Sequence, residues 1–265
     1  MKPPPFRYER PESVDGAAAL LAEHGDEAKV LAGGQSLVPI LNFRLVRPSV
    51  LVDVNRIASL RERDGESVGA TLRQADFAGV PLADLALPHV GHFTTRNRGT
   101  VGGSVAHADP SAELPLCLLV LDGRVRTSRG REIPADAFFV SHFTTTLEPD
   151  ELVTATVWPQ GDAPGFAELT LRHGDYALSM CACSVRVEDG VVRTARVGVG
   201  SVVDRPTLLE LSLVGEPATG ETARAAGADA AAAVDPPGNL HASAEYLRHA
   251  TGVVVERALR QAFAA

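Results

Sequence analysis

The chain has few of the side chains that would give it reactive chemistry of its own. Its three cysteines, Cys117, Cys181 and Cys183, lack CxxC spacing, form no even set and meet no histidine pattern. That excludes a zinc knuckle, a disulfide framework and an iron–sulfur cluster held by this chain. There is no run of consecutive Lys or Arg, the net charge is -8 and the pI is about 5.5, which disfavours nucleic acid and anionic membranes as partners. Aromatics make up 5% of the residues, too few for a base-stacking platform on single strands. No apolar stretch approaches the roughly 20 residues of a membrane span, and Met1-Lys-Pro-Pro-Pro-Phe6 has no signal-peptide core. We therefore expect a soluble, unexported, cytoplasmic protein with reduced thiols. No acid, base and nucleophile are grouped, and no solenoid period repeats.

Paired glycines, in contrast, stand at two informative places. Lys29-Val-Leu-Ala-Gly-Gly-Gln-Ser-Leu-Val-Pro-Ile-Leu41 runs from a β-branched strand through Gly33-Gly34 and leaves by Ser36 into a helical segment. Exposed amides in such a turn, followed by a helix start, suit a phosphate. By itself a Gly-Gly between strand and helix is more often only a turn. Thr100-Val-Gly-Gly-Ser104 supplies a second one with the same hydroxyl exit, and two such loops can hold the two phosphates of one dinucleotide. NAD on a Rossmann site is disfavoured because neither loop contains GxGxxG.

With 265 residues and 45% apolar content the chain is long enough for two domains. A helix is expected from Ser13 to Gly25, strands at 28–31, 50–54 and 152–157, and a hairpin of 59–63 with 67–72 around Asp64-Gly65. Leu114 to Leu121 is an apolar helix or strand. The turn-rich stretch 160–165 marks the boundary, giving domains 1–162 and 163–265. Beyond it 166–172 is extended, and Cys181, Cys183, Val185 and Val187 share one strand face before a hairpin at Asp189-Gly190. Helices follow near 221–234 and 243–262.

Ala32-Gly-Gly-Gln-Ser36, Arg96-Asn-Arg-Gly-Thr-Val-Gly-Gly-Ser104, Ala108-Asp-Pro-Ser-Ala-Glu-Leu-Pro115, and Leu240 to Tyr246 with Arg257-Ala-Leu259 resemble the FAD-binding medium subunit of molybdenum hydroxylases. This is the carbon monoxide dehydrogenase and xanthine dehydrogenase family, and the likeness spans nearly the whole chain in order. The resemblance implies an α+β fold, with a two-part PCMH-type FAD-binding domain followed by a smaller α+β domain of three antiparallel strands and helices. It implies that Leu31, Ala32, Gly33, Gly34, Gln35, Ser36 and Leu37, together with Thr100, Val101, Gly102, Gly103 and Ser104, grip the FAD pyrophosphate and ribityl chain through backbone amides. Asp109 joins this cofactor set, and Glu113 accepts from sugar or ribityl hydroxyls. Leu152 packs near the isoalloxazine or adenine, and Tyr176 stands against the flavin ring. Arg44, Arg96 and Arg98 flank the loops as candidate counter-charges or as surface residues. His107 is the other neighbour, expected to be structural.

The chain also departs from the family pattern. Ser104 stands where many relatives have Asn or Asp, and Phe166-Ala-Glu168-Leu169 replaces a Phe-x-Lys-Leu pattern whose lysine approaches the flavin. Gln35 occupies the first loop in place of any histidine, which implies a non-covalent flavin. The function implied is electron transfer from a [2Fe-2S] subunit through FAD to an external acceptor, with a molybdenum-pterin subunit oxidising the substrate, in a heterotrimer that dimerises. The alternatives are a stand-alone FAD-dependent oxidase or dehydrogenase acting directly on a small molecule, and a non-catalytic dinucleotide-binding scaffold.

Overall fold

The computed structural model describes residues 2–265. Its first subdomain contains β1 (Arg7–Glu9), α1 (Val14–His24), β2 (Ala28–Leu31), α2 (Leu37–Asn42) and β3 (Val50–Asp53), with the strands parallel in the order β1-β3-β2. The Ser13 hydroxyl accepts from the Gly16 amide at 3.1 Å to start α1, and Gly25 at φ 52° stops it. One face of α1, with Ala17 and Leu21, covers Val50, Val52 and Val54. All four β3 residues are buried, as a central parallel strand requires.

The second subdomain holds β4 (Arg63–Asp64), β5 (Ser67–Gly69), α3 (Pro81–Ala86), α4 (Phe93–Arg96), α5 (Val101–His107), α6 (Glu113–Val120), β6 (Arg124–Thr127), β7 (Glu132–Pro134), α7 (Ala135–Phe138), β8 (Phe139–Ser141), β9 (Thr144–Thr145) and β10 (Val153–Val157). Five of these strands form an antiparallel sheet in the order β4-β5-β10-β6-β7. The expected hairpin is shorter than its sequence suggests. Only Arg63 and Asp64 pair with Val68 and Ser67, because Ala58–Arg61 forms a 3-10 turn that buries Leu60 in the first core. The apolar run after Ala112 is a helix, and every residue of α6 is buried. That all-round burial explains why the run carries no period.

The C-terminal domain comprises β11 (Ala163–Leu169), β12 (Ser179–Glu188), β13 (Val191–Gly200), β14 (Thr207–Leu209), α8 (Gly220–Ala233) and α9 (Ala244–Phe263). Three long antiparallel strands are present as expected, and the three-residue β14 adds a fourth at the edge. The extended stretch after Phe166 ends at Leu169 rather than Arg172. Asp189 at φ 53° and Gly190 at φ 72° make the two-residue turn between β12 and β13.

β12 is covered on both faces. Cys181, Cys183 and Val185 pack with Val254 and Leu259 of α9, while Met180 and Ala182 join the core that holds α6. Burial raises the thiols, Cys183 up to about 12, so the cysteines act as small apolar residues. The α6 core is thereby continuous across both domains, and truncating Leu116 or Leu118 to Ala would cost about 2–5 kcal/mol. This seam fixes the C-terminal sheet against the segment that opens the site.

Candidate functional site

A cavity of about 560 Å3 lies where the three parts meet. Lys29 and Ala32 to Leu37 come from the first subdomain, Thr100, Gly103, Ser104, His107, Asp109 and Glu113 from the second, and Gly174 to Tyr176 from the C-terminal domain. It opens at the carboxyl ends of parallel β2 and β3, where an α/β sheet leaves room for a ligand.

The first Gly-Gly turn has donors to offer. Among the described residues, the amides of Gly33, Gly34, Gln35, Ser36 and Leu37 have no protein acceptor, while Val38 already donates to the Gly34 carbonyl at 3.0 Å. Gly34 at φ 72° bends the chain so that these amides follow one another at the entrance to α2. Consecutive free N–H groups form a concavity that solvates an anion without a matching count of side-chain cations. Lys29 adds a full positive charge on the same wall, and the chain has only one other lysine, Lys2.

Two polar residues tie this turn to the second segment. Asn55 Nδ2 donates to the Ala32 carbonyl at 2.7 Å and its Oδ1 accepts from Arg73 Nη2 at 2.8 Å. Arg73 Nη1 in turn donates to the Arg98 carbonyl at 2.6 Å. A Cβ on Gly33 would collide with that same carbonyl and with Gly99, so Gly33 is where the two segments touch.

The second Gly-Gly segment differs from expectation. It is the first turn of α5, not a loop, and the amides of Val101 to Ser104 are occupied: Val101 donates to Leu72, Gly102 to Ala70, Ser104 to the Thr100 carbonyl and Gly103 to the Thr100 hydroxyl at 3.1 Å. Val101 is a core residue, and a Cβ on Gly102 would lie 2.5 Å from Ala70. Only Thr100, Gly103 and Ser104 of this segment reach the cavity. Leu31 does not line it either. Leu152 lies outside the cavity lining as well, buried in the first core with Val54, Ile57 and Leu60.

At the other end of the cavity Asp109 accepts from the Ser111 amide at 2.9 Å, and Glu113 enters from the first turn of α6. Glu113 is 8% exposed, and burial together with the Glu168 and Asp109 carboxylates pushes it up to about 8, with Arg96 opposing. Tyr176 is 71% exposed on the cavity wall, on a loop that turns at Gly174 (φ 83°), where any Cβ would meet the His92 ring. His107 lies against Phe143 at 5.0 Å between ring centroids, and burial lowers its pKa, keeping the ring neutral. Two of the flanking arginines have their guanidinium groups engaged elsewhere, while that of Arg98 has no hydrogen-bond partner among the described residues. Arg96 donates to the carbonyls of Val90 and Gly91, Arg44 to the Lys2 carbonyl, and Arg98 contributes its carbonyl.

Sequence reading missed Lys29, Asn55 and Arg73. Asn55 stands just past the carboxyl end of β3, a position that signals ligand contact only once the strands are known to be parallel, whereas Lys29, second in β2, carries no such signal. Arg73 has no local signal.

An amide-lined turn opening into a long cavity of mixed polarity marks a protein built to hold an extended dinucleotide cofactor. Residues 4–161 match the FAD binding domain in molybdopterin dehydrogenase, and residues 165–262 match the CO dehydrogenase flavoprotein C-terminal domain. The chain belongs to this family of FAD-binding oxidoreductase subunits. It is 41% identical to the 6-hydroxypseudooxynicotine dehydrogenase complex subunit alpha of Paenarthrobacter nicotinovorans, over 99% of this chain and 96% of that protein. With the carbon monoxide dehydrogenase medium chain of Hydrogenophaga pseudoflava it shares 34% identity over 100% and 99%. Its fold superposes on the solved carbon monoxide dehydrogenase from that organism with a TM-score of 0.93, and on quinoline 2-oxidoreductase from Pseudomonas putida 86 with 0.94 at 34% identity, each covering 100% of this chain and 99% of the other. The three-part architecture expected from sequence is therefore that of the family, and FAD is its cofactor. Among the described residues no helix is long and apolar enough to cross a membrane.

Proposed function

We propose that this chain is the electron-transfer subunit of a molybdenum hydroxylase, taking electrons from a [2Fe-2S] subunit and passing them through FAD to an external acceptor, while a molybdenum-pterin subunit oxidises the substrate. FAD supplies the redox chemistry when bound. The chain's own residues position it: the amides of Gly33 to Leu37 and the Lys29 ammonium face the pyrophosphate, Glu113 and Asp109 its hydroxyl-bearing chain, and Tyr176 the ring. The observation that carries this reading is the row of unpartnered amides beside a cavity of about 560 Å3. An acidic chain gains an anion site there without a cluster of cations.

Named relatives act within complexes on molecules as unlike as carbon monoxide, glyceraldehyde and nicotine, yet remain 30–41% identical to this chain. That spread supports a substrate chosen by another subunit. Exposed Phe43, Leu45 and Phe93 next to cavity-lining segments suit a face covered by partners. The flavin is non-covalent, since Gln35 stands in the first turn, and acid precipitation should release it.

The test is anaerobic reduction. In the complex purified from its host the flavin absorbance bleaches on adding the substrate, and the isolated FAD-loaded chain does not respond to it. Turnover of a small molecule with oxygen by the isolated chain would instead establish the stand-alone flavoenzyme.

A further inference from the structure

One buried polar side chain beside the first glycine turn bonds to nothing else in the protein. Gln74, at the start of the 3-10 turn Gln74–Asp76, is 5% exposed and lines the cavity. Its backbone is fixed at the seam between the two glycine segments. The Gln74 amide donates to the Gly99 carbonyl at 3.0 Å, its carbonyl accepts from Phe77 at 3.4 Å, and the preceding Arg73 pairs with Thr100. The carboxamide lies directly over Gly99, where a Cβ would stand 2.9 Å from Gln74 Cδ and closer still to Oε1. Gly99 is also what a Cβ on Gly33 would strike, 2.8 Å from its Cα. Gln74 therefore sits one glycine away from the row of free amides. Its Oε1 is buried with no hydrogen-bond partner, and its Nε2 has no protein acceptor among the described residues but keeps an open side.

A buried carboxamide without partners costs the folded chain stability. An unbranched apolar side chain of similar length would pack over Gly99 without that cost. No structural bond accounts for the glutamine, so its use has to be sought on the open side. There the wall carries the amides of Gly33 to Leu37 and the Lys29 ammonium, all of them groups that favour an anion. A carboxamide N–H at that wall matches a phosphate oxygen, and a bond to a charged acceptor is stronger than one to a neutral group. Turned the other way, the same carboxamide would aim its oxygen at the anion and repel it.

We propose that Gln74 is a cofactor-binding residue kept at a cost to stability, its Nε2 donating to a pyrophosphate oxygen of FAD beside the amides of the first turn. The inference rests on the FAD reading above and deepens it by naming a residue whose only polar partner is the ligand.

The experiment compares the deflavinated full-length chain with two variants, by FAD titration through flavin fluorescence and by differential calorimetry without FAD. Gln74→Met keeps the length of the side chain and removes both polar atoms. Its Kd for FAD should rise about tenfold or more, while its Tm without FAD stays level or rises by up to about 4 °C. Gln74→Glu keeps the shape but puts a charge of the phosphate's own sign in place of the donor, so its Kd should rise further than that of Gln74→Met. Affinity and stability moving in opposite directions is what a packing role does not produce. A lower Tm for Gln74→Met without FAD, or an unchanged Kd, would overturn the proposal. So would a Gln74→Glu chain that binds FAD as tightly as the parent, since that marks an acceptor of a hydroxyl instead of a donor to phosphate. A folded parent chain that takes up no FAD would contradict the cofactor reading itself.

Discussion

The two glycine pairs look alike in sequence and do opposite things. Gly33-Gly34 leaves a row of amides without acceptors, whereas Gly102-Gly103 sits in the first turn of α5 with its amides bonded to Ala70 and Thr100. In the first pair the glycines let the backbone bend and touch Arg98; in the second, Gly102 makes room for Ala70. One pair builds a place for an anion, and the other packs the wall against which that place is held. A Gly-Gly motif thus signals close approach, but not to what.

The largest effect should come from breaking the packing pair. Gly102→Val forces a side chain into the Ala70 backbone, and we expect a loss of about 3 kcal/mol, or about 6–12 °C in Tm, with or without FAD. Differential calorimetry of both forms checks this.

Gly34→Val should separate the two roles from the other side. Its φ of 72° makes the substitution strained by about 1–2 kcal/mol, and reorienting the amides should weaken FAD binding about a hundredfold, or about 2.7 kcal/mol. Flavin titration would show a binding loss far exceeding the loss in Tm, and equal losses would mean the first pair also serves mainly packing.

The link between the pairs is Arg73, which bonds Asn55 and the Arg98 carbonyl. Arg73→Met should cost about 1.5–3 kcal/mol in urea denaturation and loosen FAD as well, because both segments lose their shared anchor. A change in only one of the two readouts would show that the segments are held independently.

Lys29→Ala should do least. Without that charge the Kd for FAD should rise about fivefold at low salt, and the difference should shrink as ionic strength rises. A salt-independent loss would point to packing by the lysine stem.

What could be read from the residues follows from how local each signal is. Ser13 and Gly25 bound α1 by contacts within a turn, and Asp189-Gly190 sets its hairpin by its own dihedral angles, so both were legible. The four segments from Ala32 to Leu259 that resemble the family placed the domains in order. The run Leu114–Leu121 was ambiguous because α6 is buried all round and has no polar face to betray its period. That the second glycine pair opens a helix against Ala70, and that Leu152 joins the first core, could not be read from sequence because those partners lie far away along the chain. Arg73 was invisible for the same reason, since a single exposed-looking arginine gives no hint that two turns depend on it.

The claim on which the rest depends is that the first glycine turn, and not the second, supplies the amides for the cofactor's phosphates. A crystal structure of the chain with FAD measures this directly. We predict pyrophosphate oxygens at hydrogen-bond distance, about 2.7–3.2 Å, from amide nitrogens between Gly33 and Leu37, with Val101 and Gly102 still bonded to Leu72 and Ala70. Phosphates placed away from Gly33 to Leu37, or held instead by amides released from the start of α5, would contradict it.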